Sequence, residues 1–358
     1  MSKQRLLDII IPSYNRPLRL FTLLKSGLEL HMAGVYFVVI DDGSELDEYI
    51  PNVGLCSTQQ VCEYFNNPAI IYRRNPENIG LARSWVNYYE TYCDAKYTLS
   101  IVDKDFFVDK TPIMNAINQL EHDDSLCMVV IPLMQEDRAN THTLITFNYS
   151  KMTSQEFISQ FVRDVTLQHC SSYGVKRVSS IRQAGVPDNL YLKDKGLDDG
   201  FGIDIDLVLR LASTGNVGFE REAHIKRTLM EGATERYPLT FAYTYYQYAK
   251  RVIAILKKKN MIGPDDARQY IKMWLLIVLS GLVVAYRSVH GSELEQGTKR
   301  ISKHLKIPIH LYLLIEAIKH GIRPSQEMID LYRCSLRLTL DSKYLAIKKS
   351  VIPGIDTK

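Results

Sequence analysis

Two aspartates one residue apart, Asp103 and Asp105, stand where an apolar run of chain ends. The stretch Tyr97-Thr98-Leu99-Ser100-Ile101-Val102 ahead of them reads as a buried strand. Side chains two apart on an extended chain point to the same side, so both carboxylates face one spot just past the strand's end. Two carboxylates that close repel unless something positive lies between them. A divalent cation carrying a diphosphate meets that need, because Mg²⁺ typically takes one or two carboxylates plus phosphate oxygens. A solvated acidic turn is the other reading of an Asp-x-Asp triplet taken alone. A second acidic stretch runs from Asp198 and Asp199 to Asp204 and Asp206. Asp204 falls near the start of a predicted helix over 204–212, where a carboxylate is favoured by the helix dipole. Helix capping and proton abstraction are both open to it on local grounds.

The elements that must position these residues alternate along the chain. Strands are predicted over 7–11, 35–40, 69–72, 97–102 and 127–133. Helices are predicted over 18–30, within 57–65, over 81–92 and within 111–122. Strands alternating with helices argue for parallel βαβ units in a doubly wound sheet. Three strands run into polar loops, Pro12–Arg16, Asp41–Ser44 and Asp103–Asp105. In a parallel sheet such loops converge on one edge, outside the carboxyl ends of the strands, where ligands bind. Beyond about residue 140 the pattern loosens, with a strand over 143–147, a helix over 154–162 and a long loop over 185–202. Past residue 240 the chain becomes helical. Met273–Tyr286 is its most apolar window, but at 14 residues it falls short of the roughly 20 that a membrane span needs. A core helix is expected there, with a membrane-surface helix as the second reading.

The 358 residues suffice for one large domain or two. Their net charge of +4 hides an asymmetry. Residues 250–358 hold 20 Lys+Arg against 9 Asp+Glu, a net +11, which leaves −7 for residues 1–249. An acidic front suits a metal-and-phosphate site, and a basic rear suits an anionic surface such as a membrane leaflet. Six cysteines form no C-x-x-C pair and no metal spacing, as expected of reduced, buried thiols in a cytosolic protein. No secretory leader is expected, because the apolar run Leu6–Ile11 is interrupted by Asp8 and ended by Pro12.

In order, these segments resemble glycosyltransferase family 2, the inverting group with the GT-A fold that includes many bacterial O-antigen and capsule transferases. The resemblance spans roughly residues 7–235. Ile9-Ile10-Ile11-Pro12-Ser13-Tyr14-Asn15-Arg16 resembles the family's opening strand and loop. It implies that Pro12, Tyr14 and Arg16 border the nucleotide. Val39-Ile40-Asp41-Asp42-Gly43-Ser44 resembles the second strand's motif, whose second Asp, here Asp42, accepts from the base. Asn78-Ile79-Gly80-Leu81-Ala82-Arg83 resembles a segment whose Arg, here Arg83, neighbours the diphosphate, a task that suits the fixed fork of guanidinium donors. Val102-Asp103-Lys104-Asp105 matches the D-x-D motif, which implies Asp103 towards ribose and metal and Asp105 on the metal. Ile203-Asp204-Ile205-Asp206-Leu207-Val208-Leu209-Arg210 resembles E-D-x-D-L-x-x-R, whose first Asp is the general base. Asp204 takes that role here, with Asp206 and Asp199 as backups for a slipped match. The family's Glu is replaced by Ile203. Arg227-Thr228-Leu229-Met230-Glu231-Gly232-Ala233-Thr234 resembles R-x-x-H-E-G-S-T, with Met230 where a His can be a third metal ligand. Methionine is a poor ligand for a hard cation. His224, six residues earlier, is expected at the surface among its charged neighbours.

The resemblance implies an α/β fold with a mostly parallel, Rossmann-like GT-A sheet over residues 1–238. A helical C-terminal extension over 239–358 would serve as a membrane-surface or dimer contact. It implies an enzyme that moves a hexosyl or deoxyhexosyl group from a nucleotide-diphosphate sugar to a hydroxyl of a glycan or lipid-linked glycan, in lipopolysaccharide O-antigen or capsule synthesis. Mg²⁺ or Mn²⁺ would be the cofactor. The expected place is the cytoplasm, peripheral on the inner face of the cytoplasmic membrane, with an anionic membrane surface or a second copy as partner and no nucleic acid. Two other classes compete. A nucleotidyltransferase would share the sheet and acidic ligands, but Pro12–Pro17 lacks the Gly-rich phosphate loop such enzymes usually carry. A non-catalytic nucleotide-sugar binding module is kept open by Ile203 and Met230.

Overall fold

The computed structural model describes residues 5–103, 105–136, 142–187, 202–228 and 238–287, together with 305, 309–323, 325–326, 328–334 and 336–337. The described residues up to 187, with 202–228 and 252–263, form one compact unit; 238–251 and those from 264 onward form a second.

The first unit is built on an eight-stranded, mostly parallel sheet. Its strands are β1 (Arg5–Ser13), β2 (Val35–Asp41), β5 (Ile70–Arg74), β6 (Ala95–Ser100), β8 (Leu126–Val130), β11 (Lys151–Met152), β12 (Val175–Arg177) and β13 (Asn216–Phe219). Their order is β11-β13-β8-β12-β6-β1-β2-β5. β1 is parallel to both β2 and β6, and β2 to β5. The run Leu7-Asp8-Ile9-Ile10-Ile11 is fully enclosed, as a central parallel strand covered on both faces must be. Sequence periodicity missed β12, a three-residue strand antiparallel to both β6 and β8. So short an element carries no periodicity of its own.

Helices α1 (Pro17–Glu29), α2 (Thr58–Tyr64), α3 (Leu81–Asn87), α4 (Thr111–His122), α5 (Ser154–Phe161), α6 (Val165–Ser171), α7 (Val178–Ala184) and α8 (Ile203–Ala212) accompany the sheet. Pro17 opens α1, where its missing N–H costs nothing. Capping boxes start α2 (Ser57 with Gln60) and α5 (Thr153 with Glu156). The predicted helix over 81–92 continues past Asn87 as a π-helical turn, Tyr88–Tyr92.

A hairpin, β3 (Glu48–Ile50) with β4 (Gly54–Cys56), lies outside the large sheet. A four-stranded sheet follows the order β10-β9-β14-β7, from β7 (Asp105–Phe107), β9 (Leu133–Glu136), β10 (His142–Leu144) and β14 (Ile225–Thr228). The single strand predicted over 127–133 is thus divided, with β8 in the large sheet and β9 in the small one. The predicted strand over 143–147 is the short β10. All six cysteines are free, and five are buried.

The second unit is helical, with helices Pro264–Arg287 and Ile309–Lys319 and the 238–251 part of Pro238–Lys258. Tyr243, Tyr246 and Tyr248 are fully buried, and Tyr245 stacks on Trp274 at 4.8 Å. Tyr246 donates to the buried Glu316, which also pairs with Lys250. Within the apolar window, Trp274, Leu275, Val278 and Leu279 are buried, as a core helix requires. Among the described residues no helix is long and apolar enough to cross a membrane.

Candidate active site

The carboxyl ends of β6, β1 and β2 lie side by side, and their loops are tied to one another. Ser13 carbonyl accepts from Asp42 N–H at 2.9 Å. Asn15, held at φ 54°, accepts from the Glu45 and Leu46 amides through Oδ1, and its own amide donates to Ser44 Oγ. Tyr14 projects from this loop, 44% exposed. Arg16 reaches across from the β1 loop and donates to Asp103 Oδ1 at 3.2 Å.

Asp42, 6% exposed, is tied to the loop that follows β5. Oδ1 accepts from Asn75 Nδ2, Ile79 N–H and Ser84 Oγ at 2.9, 2.9 and 3.1 Å, and Oδ2 accepts from Gly80 N–H at 2.9 Å. The carboxylate fixes the 75–80 loop and with it the start of α3, which carries Arg83. Gly43 makes room for this arrangement. Its φ is +73°, and a Cβ there would stand 2.6 Å from the Glu77 carbonyl carbon. Asp41, fully buried, accepts from Tyr72 Oη at 2.6 Å and Ser44 N–H at 2.8 Å.

Past β6 the chain turns at once into β7, and Asp105 is its first residue. Asp105 is 2% exposed, and its Oδ2 accepts from Val102 N–H at 3.0 Å. In the small sheet Arg227 on β14 lies directly opposite Asp105. The buried row Phe107, Ile225 and Leu133 belongs to the same face. The Arg227 guanidinium covers the Tyr173 ring at 5.6 Å. Burial, with the Asp105 carboxylate nearby, pushes the Tyr173 phenol well above its usual range.

Asp204 approaches from α8. It does not cap the helix: Gly202 occupies the N-cap, and no side chain bonds there. Its Oδ2 accepts from Ser172 Oγ at 2.8 Å. Its Oδ1 is buried and has no hydrogen-bond partner among the described residues. Asp206, one of the two backups, is fully buried in an ion pair with Arg210 along the same helix. Asp199, the other backup, lies outside the described residues, as do Lys104 and Met230.

Near Asp204 stands a lysine that belongs to no motif. Lys176, on β12 and 1% exposed, donates through Nζ to the Ser172 and Gly174 carbonyls at 2.7 and 2.9 Å. Burial drives its pKa down to about 7, against the opposing pull of Asp204. Gly174 must be glycine, since a Cβ would meet the Val129 carbonyl oxygen at 2.6 Å. His224 is the correction to the expected surface histidine. It is fully buried beside Lys176 and the Pro132 carbonyl, and burial lowers its pKa to about 3. The hydropathy of its charged sequence neighbours misled because those neighbours occupy the bend ahead of β14 while the imidazole turns inward.

Asp103 and Asp105 offer carboxylate oxygens, the hard ligand type that Mg²⁺ and Mn²⁺ take, but the chain between them is not extended as expected: it turns, with Asp105 N–H donating to the Val102 carbonyl at 3.0 Å. Among the described residues no group of three His, Cys, Asp or Glu could hold a metal ion. Mg²⁺ usually takes one or two carboxylates and fills its other positions with phosphate oxygens and water.

The model of glycosyl transferase family 2 matches residues 8–178 of this chain. Among solved structures the chain is similar to residues 1–349 of S. aureus TarS in complex with UDP-GlcNAc, at 14% identity and TM-score 0.57, covering 94% of this chain and 92% of that one. The UDP complex of the same TarS fragment matches at 13% identity and TM-score 0.53 over the same shares. Longer S. aureus TarS matches at 13% identity and TM-score 0.52, over 92% of this chain and 54% of that one. No curated protein matches.

Proposed function

We propose that this glycosyltransferase moves a sugar, with inversion, from a nucleoside-diphosphate sugar to a hydroxyl, with Asp204 as general base. The observation that carries this is the state of Asp204, with one oxygen held by Ser172 and the other buried without a partner among the described residues. An acceptor hydroxyl hydrogen-bonding Oδ1 would give up its proton there as it attacks the anomeric carbon. One base and in-line attack invert that carbon. The donor would lie along the β1, β2 and β6 loops, bordered by Pro12, Tyr14, Arg16, Arg83 and Asp103, with Asp42 keeping the 75–80 loop in place. Asp103 and Asp105 would hold a divalent cation, which when bound neutralises charge developing on the leaving diphosphate. Arg16, already against Asp103, and Arg83 would add positive charge on the same side. TarS binds UDP and UDP-GlcNAc in the similar structures, which makes a UDP-sugar the first donor to try. We further propose residues 1–238 as the catalytic domain, a glycan or lipid-linked glycan of a surface polysaccharide as acceptor, and an anionic membrane surface as the place where the basic 250–358 part docks.

A thermal-shift panel of UDP, GDP, ADP, CDP and TDP with and without Mn²⁺ names the base, since binding raises the melting temperature by mass action. The matching nucleotide sugars then test turnover. Free nucleoside diphosphate is the expected product; pyrophosphate from a nucleoside triphosphate and a sugar phosphate marks a nucleotidyltransferase, and binding without turnover marks a module. Asp204→Asn is expected to bind the nucleoside diphosphate normally and to lose turnover. Near-normal turnover would mean another base. Salt-sensitive binding to anionic vesicles is expected of the full chain, and its absence at low salt, or a dimer in its place, removes the membrane proposal.

A further inference from the structure

The helix Ile309–Lys319 carries apolar side chains on the side where a surface helix carries charge. Its inner face is fixed in the second unit. Ile309, Leu313 and Ala317 are buried, Glu316 accepts from Tyr246 and pairs with Lys250, and the Tyr312 ring lies edge-on to Tyr243 and Tyr246. The helix stops at Gly321, at φ 60°, where Ile322 N–H donates to the Ala317 carbonyl and the Ile322 side chain turns inward. Spacings of three and four put Leu311, Leu314 and Ile318 in one stripe, away from the inner face. All three are exposed, Leu311 at 45%, Leu314 at 40% and Ile318 at 70%. A helix apolar all round is ordinarily enclosed by protein or by lipid.

Charge and area select between those two. Among the described residues from 309 onward, the exposed charged side chains are Lys319, Arg323, Arg333 and Arg337 against Asp330 alone. The same stripe on a second copy would set this basic surface against itself, and like charges across an interface are unfavourable. The helix is also small for a dimer contact. At 11 residues it is about 16 Å long, and one such face covers a few hundred Å² at most, against about 800 Å² per partner in a standard interface. An anionic bilayer matches both features, since interfacial helices bury an apolar face at the headgroup boundary with Lys and Arg beside it. A helix of this length cannot cross a hydrocarbon core about 30 Å thick, so it lies along the surface.

We propose that Leu311, Leu314 and Ile318 form a lipid-contact face that enters the headgroup boundary of an anionic bilayer, with Lys319 and Arg323 meeting its phosphates. The inference rests on the reading that the basic 250–358 part docks on an anionic membrane surface, and it names the part that enters the lipid.

Flotation of the full chain with vesicles tests it. Wild type is expected to bind vesicles containing phosphatidylglycerol but not those of phosphatidylcholine alone, and to bind less as salt rises. Leu314→Gln/Ile318→Gln places good helix formers on exposed positions and is expected to weaken that binding at least about tenfold, with an unchanged melting temperature. Arg323→Gln/Arg333→Gln should instead flatten the salt dependence. Leu314→Trp gives a readout that does not depend on the double variant's folding. Its fluorescence should be quenched by phosphatidylglycerol brominated in its acyl chains, beyond the quenching of Trp85 and Trp274 in wild type. Salt-sensitive binding that is equal in wild type and in Leu314→Gln/Ile318→Gln, or no added quenching in Leu314→Trp, would overturn the lipid face and leave the basic docking standing. No binding of wild type to phosphatidylglycerol vesicles at low salt would remove both. A wild-type dimer in sedimentation equilibrium that Leu314→Gln/Ile318→Gln converts to monomer would assign the stripe to a second copy and overturn the proposal.

Discussion

Replacing Lys176 by methionine should flatten the pH dependence of stability just above neutrality. In the folded chain this ammonium is enclosed, faced by Asp204 of α8 and by His224, and burial lowers its pKa from 10.5 to about 7. Between those values the unfolded chain binds one proton more than the folded one, so stability rises with pH at a limiting slope of about 1.4 kcal/mol per pH step. That stability is fully present only above the unfolded pKa and is lost as pH falls through about 7. The whole interval corresponds to about 5 kcal/mol. The practical window, pH 7.5 to 8.5, should yield about 1 kcal/mol. Urea melts of wild type and Lys176→Met at those two pH values measure it, in a Trp274→Phe background so that the buried Trp85 alone reports on the first unit. The buried thiols of Cys62, Cys127 and Cys170, pushed up to about 12, work in the opposite direction above pH 9. They cancel between the two proteins. Methionine also leaves the Ser172 and Gly174 carbonyls without their donor, which lowers the variant's stability by an amount independent of pH. The sign of the offset is therefore not the test, but the slope difference is. Parallel stability curves from pH 7.5 to 8.5 would show that Lys176 stays protonated in the folded chain.

His224 works in the neighbouring window with the same sign. Its pKa falls from 6.5 to about 3 on folding, so wild type should lose about 3 kcal/mol relative to His224→Phe between pH 6.5 and 4, read by the same urea melts. Asp42→Ala removes the acceptor for Asn75, Ile79, Gly80 and Ser84 and is expected to lower stability by about 3 kcal/mol. Amide exchange should rise first at Ile79 and Gly80. Gly43→Ala forces a Cβ against the Glu77 carbonyl at positive φ and should cost at least about 2 kcal/mol, with weaker nucleoside diphosphate binding because the 75–80 loop must move; a melting temperature equal to wild type would refute this.

The parallel core was legible because it is written in long, uninterrupted apolar runs. Leu7–Ile11 and Val35–Ile40 are buried on both faces, and the helices between them show their spacing over three turns or more. Polar loops at successive strand ends gave the converging edge, since β6, β1 and β2 are neighbours. The short elements β7, β12 and β14 escaped notice. Three or four residues carry no period, and their pairing is decided by partners more than 70 residues away, as with Arg177 against Tyr97. His224 and Lys176 escaped for a related reason: burial of a charged residue type is a property of the packed interior, and local composition argues against it.

How each acid is held was legible only in part, because that depends on which of its lone pairs the protein already uses. Asp42, Asp204 and Asp206 look alike in sequence, each an aspartate in an acidic, motif-like context. In the fold, Asp42 accepts four bonds that lock a loop, and Asp206 is neutralised by Arg210 one helical turn away. Asp204 has one oxygen secured and the other unpartnered among the described residues. A group that must accept a proton in the transition state needs both conditions at once. Full satisfaction would leave no lone pair for the hydroxyl, and no satisfaction would leave the carboxylate free to rotate away from the line of attack. Of the three, only Asp204 combines them, and the combination depends on Ser172, 32 residues away in sequence and silent as a motif.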